Sequence, residues 1–310
     1  MARGRVPGSN RSPIQPNLVD WLLLIALVIV WGSAYAMTQI GVEVLPPALL
    51  VSARLIIGAL VLGIAALVMR ARLPPLSAHK TWGALALIGA TGTLLPFLLI
   101  STAQQTVPSA LAAIYIAAAP LTVAILCHFL VPSEKLNAMR ALGVAIGFGG
   151  VCLLFAPALS DQSAGATPLL SQGLLLFAAF LYGSTSVMVR LVNPDLHPVA
   201  MSFGFVTLAA IFSIPFSIVA WPTQPIEFET RHVLAVLALG AIATGLANLL
   251  YVLTIRRVGP IFMSNVGNLA PFWSILVGAL AFGEMLPATT FLALIILLVG
   301  VWLVQRQGAR

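Results

Sequence analysis

Charge is what this sequence has least of. Only 7% of its 310 residues are Asp, Glu, Lys or Arg, and cysteine occurs twice, at Cys127 and Cys152. Two cysteines inside apolar runs exclude a disulfide framework. Scarce charge beside 60% hydrophobic residues excludes a soluble domain, because one core cannot hide that much apolar surface. Walker A and other nucleotide-binding loops are missing, which argues against direct drive by ATP. His79, His128, His197 and His232 are dispersed, without carboxylates at ligand spacing, so neither a metal nor another cofactor is expected. The same dispersal argues against a polytopic membrane enzyme. The net charge of +7 does not indicate nucleic acid, because the basic residues stand singly between apolar segments.

What the chain does contain is long apolar runs. A bilayer core of ~30 Å takes about 20 such residues per helix. Ten segments qualify: 19–39, 47–69, 82–102, 107–129, 138–157, 171–191, 198–220, 232–255, 260–282 and 288–305. Stretches with Pro separate them, as at Leu73-Pro74-Pro75, Asn193-Pro194 and Trp221-Pro222. The expected fold class is an all-α integral membrane protein of ten transmembrane helices. The first segment also reads as a signal peptide, with Arg3, Arg5 and Arg11 ahead of it and Ala34-Tyr35-Ala36 as a cleavage site. The repeat described below argues against that, because this segment has a partner deep in the chain.

Lys and Arg accumulate in cytoplasmic loops. With ten helices, Arg3, Arg5, Arg11, Arg70, Arg72, Lys80, Lys135, Arg140, Arg190, Arg256, Arg257, Arg306 and Arg310 fall on one side. Only Arg231 falls on the other, and Arg54 lies within a helix. The bias predicts an even helix count with both termini in the cytoplasm. Glu43, Asp161, Glu227, Glu229 and Glu284 fall opposite, in agreement.

A shift of 151 residues lays the chain on itself. Gly32-Ser33 then meets Gly183-Ser184, Pro47 meets Pro198, and Ala119-Pro120 meets Ala270-Pro271. Gly89, Ala90 and Thr93 meet Gly240, Ala241 and Thr244. After one deletion the shift becomes 150, and Glu134 meets Glu284 while Gly150-Val151 meets Gly300-Val301. Five helices is an odd number, so the two copies enter the membrane from opposite faces. Inverted repeats of this kind are typical of secondary transporters, which hold substrate between the halves. The expected organisation is a tail at 1–18, a first repeat at 19–157, an extracytoplasmic linker at 158–170, a second repeat at 171–305 and a tail at 306–310.

Polar side chains in hydrocarbon should face the bundle interior. Trp31, Tyr35 and Thr38 share one face of the first helix, and Thr244, Asn248 and Tyr251 one face of the eighth. The ninth carries Asn265 and Asn268, with Ser264 and Trp273 nearby; the sixth offers Tyr182 and Ser186, the third Ser101 and Gln104, and the fourth Tyr115. The pattern predicts a central cavity lined by helices one, three, four, six, eight and nine, supported by two, five, seven and ten. Its substrate-binding candidates are Trp31, Tyr35, Tyr115, Tyr182, Asn248, Tyr251, Asn265 and Asn268.

Other readings stand beside these. Thr38, Ser186 and Thr244 are expected to bond back to their own helix carbonyls. Trp21, Trp82, Trp221 and Trp302 suit an interfacial belt. The three asparagines either bridge helices or meet substrate. Gly143 and Gly147 have the spacing for close helix contact. Pro120 and Pro271 free the carbonyls of Ile116 and Gly267, and their matched positions predict symmetric kinks that let each half bend. Glu134 and Glu284 precede helices five and ten, where a carboxylate stabilises the N-terminal dipole. Arg54 either bonds carbonyls between helices, the favoured reading, or contacts a carboxylate.

The chain resembles the ten-helix EamA-domain exporters of the drug/metabolite transporter superfamily. The likeness rests on Trp31-Gly32-Ser33, Arg54, the two Ala-Pro pairs, Phe282-Gly283-Glu284 and the two Gly-Val pairs, and it spans Val19 to Arg306. Tyr182 and Phe205 depart from it where the first copy has Trp31 and Arg54. Within the family the chain is most similar to the aromatic amino acid exporter (YddG-like) branch. The resemblance implies export of amino acids or similar metabolites by alternating access through the inner membrane. The scarcity of intramembrane charge fits a neutral or zwitterionic solute with an aromatic or aliphatic body. Competing readings are export of another metabolite or drug, such as a nucleotide-sugar-like or cationic compound, and a passive channel. The partners expected are that small molecule and the lipid bilayer, with the chain as a monomer and a dimer as the alternative.

Overall fold

In the computed structural model the apolar runs form ten helices of spanning length, labelled here α1 (Leu18–Val42), α2 (Pro47–Val68), α3 (His79–Ala103), α4 (Ser109–Leu130), α5 (Ala138–Ala156), α6 (Leu169–Met188), α7 (Pro198–Val219), α8 (Thr230–Tyr251), α9 (Asn265–Phe282) and α10 (Ala288–Gln305). The structure describes residues 16–130, 135–160, 168–191, 196–258, 260–263 and 265–306. Glu134, Ser264, linker residues 161–167 and the basic residues Arg3, Arg5, Arg11 and Arg310 lie outside the described residues.

Local chemistry starts these helices where the apolar runs begin. Asn17 and Asp20 form a reciprocal capping box before α1, each side chain accepting from the other's backbone N–H at 3.1 and 3.0 Å. Pro47 and Pro198 occupy the first turns of α2 and α7, where the missing N–H costs nothing. Glu229 and His232 form a second box at the start of α8.

The third helix of each repeat carries a π-helical stretch, at Ala90–Leu94 in α3 and Ala238–Leu246 in α8. The two stretches overlap under the repeat shift. Each is packed by the other repeat: a Cβ on Gly240 would meet the Arg54 carbonyl of α2 at 3.1 Å, and one on Gly89 would meet the matching Phe205 carbonyl of α7. Such bulges often mark functional positions.

Packing is dominated by contacts between repeats, not within them. α1 lies against α9, α6 against α4, α2 against α8, α7 against α3, and α5 against α10. The α5–α10 contact rests on glycine: a Cβ on Gly143 would meet the Gly300 carbonyl at 2.8 Å, and Gly300 faces the backbone of Gly147. Close backbone approach of this kind is how helices associate in lipid, where water supplies no driving force between them. The two halves therefore interlock.

The two prolines differ in their backbones. α4 is interrupted after Ile116 and resumes at Ala119, because Pro120 has no N–H to return to the Ile116 carbonyl. α9 runs unbroken through Pro271. The two Ala-Pro pairs are alike in what they touch. The carbonyl of Ala119 meets Gly183, and that of Ala270 meets Gly32.

Candidate functional site

The first-repeat helix α1 sends Trp31 and Tyr35 inward. Trp31 Nε1 donates to the Ala243 carbonyl at 3.1 Å, and its ring rests on Tyr251 with centroids 5.3 Å apart. These two deep aromatics, separated by most of the chain, form one wall. Thr38 bonds back to the Ala34 carbonyl at 2.7 Å, and Ser186 to that of Tyr182 at 2.9 Å, as expected of isolated hydroxyls.

A second group gathers around Arg54 of α2. Its Nε donates to Thr244 Oγ1 at 2.8 Å, and its guanidinium carbon stands 3.6 Å over the Phe97 ring centroid. Thr244 spends its own proton on the Leu239 carbonyl at 2.8 Å, a five-residue reach that the π-helical backbone permits. The hydroxyl oxygen is thereby fixed as the acceptor for Arg54. Tyr35 of α1 and Tyr182 of α6 both lie within electrostatic reach of the guanidinium. The guanidinium of α2 thus stands against residues of α3 and α8. These partners of Arg54 lie far along the chain.

The remaining candidates separate. Asn248 donates to the Thr244 carbonyl at 2.6 Å, one turn from Arg54's partner. Asn265 donates to the Phe262 carbonyl at 3.0 Å at the start of α9. Asn268 reaches Gln305 Oε1 at 3.1 Å and so bridges α9 to α10. Tyr115 is fully buried; its hydroxyl donates to Gln172 Oε1 at 2.6 Å, and its ring packs edge-on to Phe155. Tyr35 and Tyr182 lie against that same core cluster, so Tyr115 stands behind them.

Glu284 also corrects an expectation. It does not serve α10, the helix it precedes. Its carboxylate accepts from the backbone N–H of Ser109 at 2.8 Å, from Ser109 Oγ at 2.9 Å and from the N–H of Ala110 at 3.0 Å. It thus caps α4, in the other repeat, and Gln39 Oε1 of α1 shares the Ser109 N–H at 2.8 Å. The carboxylate does stabilise a helix N-terminus, but it is that of α4. On the same face, His232 Nε2 and Arg231 meet Glu43 Oε2 at 3.3 and 3.0 Å, tying α8 to the end of α1.

A cavity of about 510 Å³ opens between α2, α8 and the 221–228 loop. Leu45, Leu49, Trp221, Val233 and Val236 are among its walls, and none of the candidates lines it.

The comparisons with known proteins agree with this architecture. A family model described as the EamA-like transporter family matches the chain twice, over residues 20–156 and 170–306. The uncharacterized inner membrane transporter YedA of Escherichia coli is 29% identical over 286 residues, covering 91% of this chain and 89% of its own. The uncharacterized transporter YoaV of Bacillus subtilis is 22% identical over 283 residues, 90% of this chain and 94% of its own. A crystal structure of another protein superposes with a TM-score of 0.65 over 92% of this chain and 98% of that one. At 20% identity that likeness concerns the fold.

Proposed function

Since the chain belongs to the EamA-like transporter family, we propose that it exports amino acids, aromatic or neutral, or closely similar metabolites by alternating access. It is a multi-pass inner membrane transporter, as its ten spans and its relative's name agree. The observation that carries the finer reading is the aromatic and polar centre shared by the repeats. Trp31, Tyr35 and Arg54 come from the first copy, and Tyr182, Thr244, Asn248 and Tyr251 from the second. Flat aromatic walls suit an aromatic or aliphatic body, while hydroxyls and amides suit amino and carboxyl groups. The basic loops orient the chain with both termini in the cytoplasm.

The test is uptake of the twenty amino acids into liposomes holding the purified protein, with and without an imposed pH gradient. Saturable uptake of a subset supports the reading. Uptake that never saturates points to a channel, and no uptake of any amino acid overturns the substrate class.

A further inference from the structure

We propose that Arg54 is the anion-binding centre of the transport site, and that the substrates it selects carry a carboxylate. This rests on the transporter reading above and narrows it. It also opposes the alternative of a cationic cargo.

An ionised side chain inside a bilayer is expensive, and it is retained where a counter-charge or a watery cavity meets it. No Asp or Glu occurs in the sequence of α2 to α10. The described acids near the ends of the bundle are engaged elsewhere or exposed: Asp20 in its capping box, Glu43 and Glu229 with Arg231, Glu284 on Ser109 and Ala110, and Glu227 in an exposed loop. Arg54 is therefore a cation with no acidic partner among the described residues.

Its geometry leaves the binding edge unused. Arginine carries five N–H donors in a planar fork. Here Nε is spent on Thr244, and one face of the plane is covered by Phe97. Both terminal nitrogens make no hydrogen bond among the described residues. The Tyr35 and Tyr182 hydroxyls likewise make no hydrogen bond among the described residues. A residue whose work was to bridge helices would spend its terminal nitrogens on carbonyls. Arg54 is instead anchored through Nε and stacked on a ring, which orients the two-pronged edge that matches a carboxylate.

The experiment compares matched compounds in proteoliposomes. Phenylalanine, phenylpropionate and phenethylamine share a ring and differ in which charged group they carry, and each transported amino acid is paired with the amine left by its decarboxylation. In a second arm, benzoate protects Arg54 of the purified protein from p-hydroxyphenylglyoxal, read on the Arg54 peptide by mass spectrometry. The expected result is uptake of carboxylate-bearing compounds over their amines, at least a tenfold loss in Arg54→Gln, and partial recovery in Arg54→Lys. Gel-filtration profile and melting temperature establish that both variants fold. Equal uptake of acids and amines, or wild-type uptake by Arg54→Gln, overturns the inference and leaves the exporter reading standing. No uptake by the wild type, with benzoate still protecting Arg54, overturns the amino acid reading of the exporter and leaves the anion site. Absence of protection overturns the site in either case.

Discussion

Gly32 of α1 lies so close to Ala270 of α9 that a Cβ on the glycine would stand 2.9 Å from the alanine's carbonyl oxygen and 2.8 Å from Trp273. Gly183 repeats the relationship against Ala119, at 2.7 Å. The contact is locked by a hydrogen bond from Trp273 Nε1 to Ser33 Oγ at 2.8 Å. Since the obstacle is backbone oxygen, a methyl group there forces helices apart. Gly32→Ala and Gly183→Ala should each destabilise the protein by about 1–3 kcal/mol, the usual cost of overpacking. Thermal unfolding in detergent checks this, and an unchanged midpoint for both would show that the helices separate easily.

Glu284 holds α4 from a distance of 175 positions along the chain. Glu284→Ala strips the acceptor from the Ala110 N–H and the Ser109 hydroxyl and leaves the Ser109 N–H to Gln39 alone, and should cost about 1–3 kcal/mol. Glu284→Gln keeps one acceptor oxygen and should cost less. Equal stability of the two variants would mean that water replaces the carboxylate at no penalty. The readout is the thermal midpoint of each.

Tyr115→Phe separates core from site. The hydroxyl donates to Gln172 inside the protein, so its loss should lower stability by about 1 kcal/mol while leaving the KM for uptake unchanged. A raised KM with unaltered stability would put the hydroxyl in contact with substrate.

Asn248→Ala and Asn265→Ala should reduce uptake roughly tenfold, the value of one lost hydrogen bond to a polar ligand. Both amides bond back to their own chain, so folding should survive, as gel filtration would show. Full uptake by the double variant would remove the asparagines from the site.

The ten spans were legible because each is a run of bilayer length punctuated by residues with a mechanical meaning. Pro47 and Pro198 stand in the first turns of their helices, where proline is tolerated. The π-helical stretches were not legible, because the spacing of Gly89 and Thr93, or of Gly240 and Thr244, does not distinguish a five-residue from a four-residue backbone bond. Depth along a helix could be read but rotation about it could not. Tyr115 and Tyr182 look alike as deep aromatics, yet α4 is the most enclosed span and turns Tyr115 into the core. Arg54 stood out as the lone deep cation, while Thr244 and Phe97 became its neighbours only through the crossing of the two repeats.

That crossing has a consequence for how the protein is made. α1 finds its main partner in α9, α2 in α8 and α5 in α10, all of which leave the ribosome later. Until they do, the glycine surfaces at Gly32 and Gly143 lack the helices they pack against. The largest interfaces of the first five helices are thus completed only once the second repeat is made, and the α5–α10 seam only with α10 itself.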